Sequence, residues 1–316
     1  MNTVAEICNE LKHIQSCTII MHRRPDGDTG GSAAALGRCL MALGKTVRFA
    51  CCDAITPKYT DLLPAPVGVA VEGAVIAVDI AAPEMAGALA PYVEQADIVI
   101  DHHGTNPCPG RLNLVRPEAA ATGEIMYEIV TALGPLTKEI AEALYVALST
   151  DTGCFRYGNT TPNALRVGAA LVETGLDITY LNRMLFVVKT KAAFAVRSRL
   201  SQELHYYADG HAAVSVLSEA IMREYHADED DVESVSAIPM EIEGVRAAAT
   251  LREVATRTYK VSVRTDGSVD AAALCKAFDG GGHKMAAGCT LQGNVEDCEK
   301  QMAKALCEAL GAEWTD

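Results

Sequence analysis

The hydrophobic positions of the first half fall into short unbroken runs separated by longer segments of helical composition. Cys17 to Met21, Thr46 to Ala50, Ala74 to Val78 and Asp97 to Ile100 are β-branched or apolar runs, too short for helices and closed by polar clusters. Ser32 to Leu43, Thr122 to Leu133 and Lys138 to Leu148 have helical composition, and the first stops at Gly44, a residue suited to the position beyond a helix end. Continuous apolar strands alternating with helices predict a parallel sheet covered on both faces, so the fold class is α/β. From Leu181 to Leu204 the pattern predicts one longer helical stretch. After His205 come alternating strand-like segments (Ala212 to Leu217, Ala247 to Leu251, Tyr259 to Arg264) and a helix near Val269 to Phe278. They predict a smaller α/β domain finishing near Gly311, with residues 313–316 as a tail. The expected organisation is a first domain over residues 1–184, a helical linker over 185–204 and a second domain over 205–316. The acidic run Asp228 to Asp231 reads as the solvated start of a helix.

A chain of 316 residues, 49% apolar and 22% charged, has material for two ordinary cores. No run reaches the roughly 18 apolar residues that a membrane helix requires. Met1 to Lys12 carries Glu6 and Glu10 where an export signal would be basic and then apolar. Eleven cysteines, odd in number, scattered in spacing and without a C-x-x-C pair, read as small buried hydrophobes in a reducing cytoplasm. The net charge of −14, from 27 basic against 41 acidic side chains, argues against a long duplex, whose binding depends on neutralising many phosphates. A small anionic substrate held by a few local cations remains compatible.

Four segments of the first half end in Asp or His. The first run leads into His22, Arg23, Arg24, Pro25, Asp26, Gly27 and Asp28, the third into Asp79, and the fourth into Asp101, His102 and His103. The helical segment Ile140 to Ser149 leads into Asp151. In open parallel sheets, ligands bind where loops leave the carboxyl ends of strands, so polar groups emerging there converge. Carboxylates and imidazoles without thiolates suit Mn²⁺, Mg²⁺ or Fe²⁺ better than a structural zinc. His22, Asp26 and Asp28 read as one loop, bent by Pro25 and Gly27 so that both carboxylates face inward. Asp79, His102 and Asp151 bring the number of ligands to six, too many for one ion that also holds water and substrate. They suit two ions ~3.5–4 Å apart sharing one carboxylate. Singly, each has an ordinary use: a strand-end Asp caps a helix or fixes a turn, and a lone His is a hydrogen-bonded structural residue. The joint pattern is what points to a site. Gly30, Gly31 and Ser32 read as a close backbone approach at a helix N-terminus, an anion site.

His22-x-x-Pro25-Asp26-x-Asp28-x-x-Gly31-Ser32, Asp79, Asp101-His102-His103 and Asp151, in that order, resemble the motif set of the DHH phosphoesterase superfamily. Gly280-Gly281-Gly282-His283-Lys284-Met285-Ala286-Ala287-Gly288 resembles the GGGH-x-x-AAG signature of the DHH-associated domain. The resemblance spans nearly the whole chain and is to the nanoRNase/pAp phosphatase branch, the bifunctional oligoribonucleases. It implies a parallel-sheet DHH domain with helices on both faces, joined by a helical linker to a smaller α/β domain. It also implies two divalent ions, usually Mn²⁺, with His22, Asp26 and Asp79 on one. Asp28, Asp79, His102 and Asp151 would hold the second, with Asp79 bridging and a metal-bridging hydroxide as nucleophile. His103 would face the substrate phosphate, and Asp101 would orient neighbouring ligands.

In the second domain Arg246, Arg252, Arg257, Lys260 and Arg264 stand against Glu253 alone across residues 245–264. Arginine is suited to bidentate phosphate recognition. By the resemblance, Arg252 and Arg264 bind substrate; Gly280, Gly281, Gly282 and His283 read as a backbone-plus-imidazole cradle for its far phosphate or base. Solvent-facing arginines and a plain glycine turn are the alternatives. Thr265 stands where the family has a serine after the second arginine. The implied activity is hydrolysis of oligoribonucleotides of about two to five nucleotides to mononucleotides, a length needing few aromatic stacking platforms in a chain with 5% aromatic residues. Dephosphorylation of pAp accompanies it. A cyclic or linear dinucleotide phosphodiesterase is the alternative, and a metal-dependent nucleotide sensor is the reading from another class. Expected partners are short RNA oligonucleotides, pAp or dinucleotides, with neither long duplex nor membrane, in the cytoplasm. A homodimer is compatible with all of this.

Overall fold

The computed structural model describes residues 1–66, 68–232 and 234–314, and the chain divides into two compact units, Met1–Val188 and a second beginning at Lys189. The first unit runs α1 (Val4–His13), β1 (Ser16–Ile20), α2 (Gly27–Ala42), β2 (Thr46–Ala50), β3 (Ala74–Val78), α3 (Ala90–Val93), β4 (Ile98–Asp101), β5 (Leu112–Val115), α4 (Thr122–Leu133), α5 (Lys138–Asp151), α6 (Pro162–Glu173) and α7 (Ile178–Asn182). Its five strands are all parallel, in the order β2-β1-β3-β4-β5. The chain leaves β1 for β2 on one side and then crosses to β3 on the other. A crevice therefore opens between the carboxyl ends of β1 and β3, the topological switch point.

Alternation along the strands separates two cores. Cys17, Ile19, Ile76, Val78, Ile98 and Ile100 pack under α1, α2, α4, α5 and α6. Ile20, Ala77 and Val99 point the other way, to a thinner layer of Ile80, Ala86 and Leu89 around the 3₁₀ turn Pro83–Leu89, with Val93 of α3. Both faces are covered, as the uninterrupted apolar runs require.

The second unit contains α8 (Lys191–Gln202), β6 (His205–Tyr207), β7 (Ala212–Leu217), α9 (Glu219–Glu224), β8 (Ala247–Ala255), β9 (Thr258–Thr265), α10 (Ala271–Lys276), β10 (Gly281–His283), β11 (Ala286–Gln292) and α11 (Val295–Leu310). A six-stranded sheet has the order β10-β11-β9-β8-β7-β6, with β7 and β8 its parallel pair. Ala249, Leu251, Val261 and Val263 form a core with Leu274 of α10 and Met302 and Leu306 of α11.

Several expectations need correcting. The stretch 181–204 is not one helix: α7 passes into a π turn at Arg183–Val187, Val188 is extended, and the Thr190 side chain caps a new helix by accepting from Ala193 N–H. That helix, α8, buries Val196 and Leu200 against Leu217, Ile221 and Val235 of the second unit. Asp228 to Asp231 is a turn rather than a helix start, with Asp228 Oδ1 accepting from the N–H of Asp230 and Asp231. The expected tail is anchored: the Trp314 ring lies 5.6 Å from that of Tyr207, while Thr315 and Asp316 lie outside the described residues. The cysteines are unpaired, and eight of the eleven are buried. Among the described residues, no helix is long and apolar enough to cross a membrane.

Candidate metal centre

α2 begins at Gly27, well before the expected Ser32, because Asp26 caps it. Asp26 Oδ1 accepts from the N–H groups of Asp28 and Thr29, both at 3.0 Å. Asp28 therefore stands in the first turn of a helix, not on a loop. Gly30, Gly31 and Ser32 are buried inside α2, so they form no anion site. A Cβ built on Gly31 would lie 2.4 Å from the Ala143 carbonyl oxygen and 2.8 Å from Ala147 N, so glycine lets α2 lie against the backbone of α5. Asp79 follows β3 with φ 58°, its N–H bonded to Ile100 O of β4. Asp101 closes β4, His102 and His103 follow it, and Asp151 closes α5.

These side chains meet. His22 Nε2 is 3.5 Å from Asp26 Oδ1 and 3.8 Å from Asp79 Oδ2. His102 Nε2 lies 3.8 Å from Asp28 Oδ2, 3.7 Å from Asp79 Oδ1 and 3.4 Å from Asp151 Oδ2. The donor atoms fall into two groups, His22–Asp26–Asp79 and Asp28–His102–Asp151, with Asp79 turning one oxygen toward each. A further overlapping set is Asp79–His102–His103.

A backbone carbonyl can only accept, so the Nδ1 atoms of His22, at 2.8 Å from Arg23 O, and of His102, at 3.3 Å from Ala119 O, carry the protons. In the neutral ring each then directs an Nε2 lone pair at carboxylate oxygens. The carboxylates repel one another. Burial, followed by the charges of Asp79, Asp151 and Asp26, pushes the Asp28 carboxyl well above its usual range. Burial does the same to Asp79, helped by Asp26, Asp101 and Asp151. Asp151 rises through burial although His102 pulls it down. Burial opposes the cation of His22, yet the hydrogen bond and charge of Asp26 outweigh it and raise that imidazole. Asp26 itself is lowered, burial being outweighed by His22 and the capped N–H groups. Converging lone pairs and crowded carboxylates without a thiolate are a donor set that fits hard or borderline divalent cations.

Asp101 is fully buried and does not join the groups directly. Its Oδ1 accepts from His102 N–H (2.8 Å), His103 N–H (3.2 Å) and His103 Nδ1 (2.8 Å), while Oδ2 accepts from Asn106 Nδ2 (2.6 Å). Burial disfavours its charge, but His103 and Asn106 hold the carboxyl below its usual range. Donating this bond to Asp101 lifts the pKa of His103 against burial and favours the cationic form of a half-exposed ring.

Sequence reasoning placed the start of α4 at Thr122, where it lies, but gave neither it nor Asn106 a part in the site. Asp28 Oδ2 accepts from Thr122 N–H at 2.7 Å, and its Oδ1 from Gly123 N–H at 2.9 Å and Ser32 Oγ at 3.1 Å. Ala-Thr-Gly-Glu reads as an ordinary helix opening, so no signal in the sequence marks what it holds.

In the second unit, cross-strand pairing places Ala248, Arg264, Ala286 and His283 in one row and Arg252, Lys260 and Thr290 in another. Directly opposed side chains share a face, here the one turned away from α10 and α11, because Val261 and Val263 fill the core. Gly281 pairs with Gly288 on that face. Arg252 is not waiting in solvent: its Nη2 donates to both oxygens of Glu229, at 2.7 and 2.6 Å. Arg264 Nη1 donates to Val263 O at 3.0 Å. An open cavity of about 570 Å³ is bordered by Lys260, Phe278, Asp279, Gly280, Gly288 and Thr290. Thr265 lies on the core face, its Oγ1 donating to Val269 O at 2.9 Å, so the departure from serine does not touch the face of Arg264.

Residues 16–148 match the N-terminal domain of the DHH family, and residues 209–312 match the DHHA1 domain. The bifunctional oligoribonuclease and PAP phosphatase NrnA of Thermus thermophilus is 34% identical over 321 residues, covering 98% of this chain and 94% of its own. The chain belongs to the DHH family. The NrnA protein of Bacillus subtilis is 25% identical over 283 residues, 87% of this chain and 89% of its own. Two solved structures share the fold. An exopolyphosphatase-related protein from Bacteroides fragilis superposes with a TM-score of 0.87 at 23% identity, over 96% of this chain and 95% of its own. The exonuclease RecJ bound to manganese gives 0.55 at 17% identity, over 98% and 95%. The DHH match thus carries the candidate metal centre up to α5, and the DHHA1 match carries the sheet face of Arg264 and His283.

Proposed function

We propose that this DHH phosphoesterase hydrolyses short oligoribonucleotides, of about two to five nucleotides, to mononucleotides and also dephosphorylates pAp, substrates whose small size suits a site with few stacking rings. The observation that carries the reading is the pair of donor groups sharing Asp79 at the switch point of a parallel sheet. His22, Asp26 and Asp79 would hold one divalent ion, and Asp28, Asp79, His102 and Asp151 a second, Mn²⁺ being the expected metal. When bound, such a pair supplies activation of a water molecule and neutralisation of phosphate charge.

The chain's own groups do the remainder. Asp101 anchors His103 through Nδ1, which turns Nε2 to the opposite edge of the ring and favours the imidazolium. A cationic donor there bonds a phosphoryl oxygen more strongly than a neutral one and stabilises charge as it develops. Asn106 keeps Asp101 ionised and fixed, so the histidine need not reorganise. On the β9–β11 part of that face of the second unit, Arg264 and His283 in one row, with the small residues Ala286, Gly281 and Gly288 between and beside them, suit a phosphate and a flat base lying close to the backbone. Arg252 becomes available when a phosphate displaces Glu229. This supports the second unit as the part that selects substrate.

The test is a substrate panel with Mn²⁺: pAp, di- to pentaribonucleotides, cyclic dinucleotides and pyrophosphate. Turnover of pAp and of linear dinucleotides is expected, abolished by a chelator. Turnover confined to cyclic dinucleotides would move the assignment to that class, and binding without cleavage would make the protein a sensor.

A further inference from the structure

Four of the six candidate ligands are touched by one short segment, Ala119 to Gly123, or by a side chain braced on it. Ala119 O holds Nδ1 of His102. Thr122 N–H and Gly123 N–H hold the two oxygens of Asp28. Thr122 Oγ1 donates to Asp79 Oδ1 at 2.9 Å. Asn159 Nδ2 donates at once to Ala120 O at 3.0 Å and Asp151 O at 3.1 Å, tying the segment to the end of α5. The segment is itself locked. Glu124, nearly fully buried, accepts from Ala120 N–H at 2.9 Å and from Asn163 Nδ2 at 2.6 Å.

From this geometry we infer that Thr122 is the positioning residue of the metal centre, and that Ala119 to Gly123 presets the two donor groups relative to each other. This rests on the two-ion reading above. Thr122 is fully buried and holds one carboxylate from each side: Asp28 through its N–H and the shared Asp79 through its hydroxyl. An uncharged donor suits the task. It fixes the rotation of the Asp79 carboxylate without supplying a cation that would compete with a metal, and one hydroxyl proton occupies one lone pair of Oδ1. The branch at Cβ limits χ1, so the hydroxyl is held in place. The positive end of α4 adds attraction for the charge on Asp28, which burial and three neighbouring carboxylates oppose.

The full chain, stripped of metal with a chelator, is titrated with Mn²⁺ by calorimetry as wild type, Thr122→Val and Thr122→Ser, beside thermal unfolding of each stripped protein. Groups that orient metal ligands typically change affinity or activity about 10–100-fold when removed. Thr122→Val is expected to weaken Mn²⁺ binding within that range and lower kcat more than it raises KM, while Thr122→Ser restores both. Thr122→Ala gives the same comparison if valine does not fold. Unchanged Mn²⁺ affinity in the valine and alanine variants overturns the inference. So does a serine variant as impaired as valine, since packing and not the hydroxyl would then matter. Wild-type protein that takes up no divalent ion would instead sink the two-ion reading.

Discussion

Replacing Gly31 by alanine separates local helix preference from the packing that builds the site. In a solvated helix interior the change stabilises by ~1 kcal/mol, because alanine loses less backbone entropy. Here the added Cβ would sit 2.4 Å from the Ala143 carbonyl oxygen and 2.8 Å from Ala147 N, against 3.4–4 Å for ordinary contact. Both neighbours are backbone atoms of α5, which cannot swing aside as a side chain would. α2 and α5 must part by about 1 Å, and overpacking of this kind costs ~1–3 kcal/mol, enough to reverse the sign of the propensity term. The same displacement reaches the candidate metal centre, since Asp28 rides on α2, Asp151 on α5, and His102 Nε2 spans them at 3.8 and 3.4 Å. A misplacement near 1 Å can lower turnover by ~10²-fold. Urea unfolding of the chelated protein reads the first effect, and initial rates on a dinucleotide at saturating Mn²⁺ read the second. A Gly31→Ala variant that is more stable than wild type and equally active would refute the packing argument.

Glu229→Gln should release Arg252 from its ion pair. An exposed pair is worth ~0.2–1 kcal/mol, so a fall in KM of up to about fivefold is expected at low ionic strength with kcat unchanged; an unchanged or higher KM would place Arg252 outside substrate binding. Arg264→Ala should raise KM about 10–100-fold, the loss of a charge-assisted hydrogen bond to phosphate, with metal content by elemental analysis unaltered. The raised pKa values of Asp28, Asp79 and Asp151 mean that folding takes up protons there. Their stabilisation is complete below the unfolded carboxylate pKa near 3.9 and is lost as pH rises through the folded values. Divalent ions take the place of those protons, so Mn²⁺ should raise Tm more at about pH 7.5 than at about pH 5. Equal increments at both would count against a carboxylate site.

The strands carrying the site were legible because they are buried on both faces and read as unbroken apolar runs; β2 and β3 fall on their expected bounds. The edge strand β5, Leu-Asn-Leu-Val, was missed because polar Asn113 interrupts it and four residues carry little pattern. The start of α2 was misplaced for a physical reason. Gly27, Gly30 and Gly31 look like loop, and the helix exists there because Asp26 caps it and α5 packs on it. The hairpin of β10 and β11 was hidden in the same way by its glycines. Among the site residues, Asp and His stood out because their chemistry is unusual at strand ends. Thr122, Glu124 and Asn159 did not, because hydroxyl, carboxylate and amide groups with these roles are recognisable by what they touch. Glu229, distant in sequence from Arg252, was out of reach for the same cause.

Asp79 combines two demands seldom made of one residue. Its positive φ, 58°, belongs to a region that aspartate and asparagine enter with modest penalty and that other side chains largely avoid. Glutamate would supply an equal charge on a backbone unwilling to turn there, and alanine would add conformational strain to the loss of the carboxylate. Asparagine removes the charge while keeping the side-chain shape and leaving the turn comfortable, whereas glycine would also free the backbone and delete the side chain. Any attempt to measure what that carboxylate contributes therefore has one clean substitution, and a scan that uses alanine would charge the geometry of the chain to the chemistry of the site.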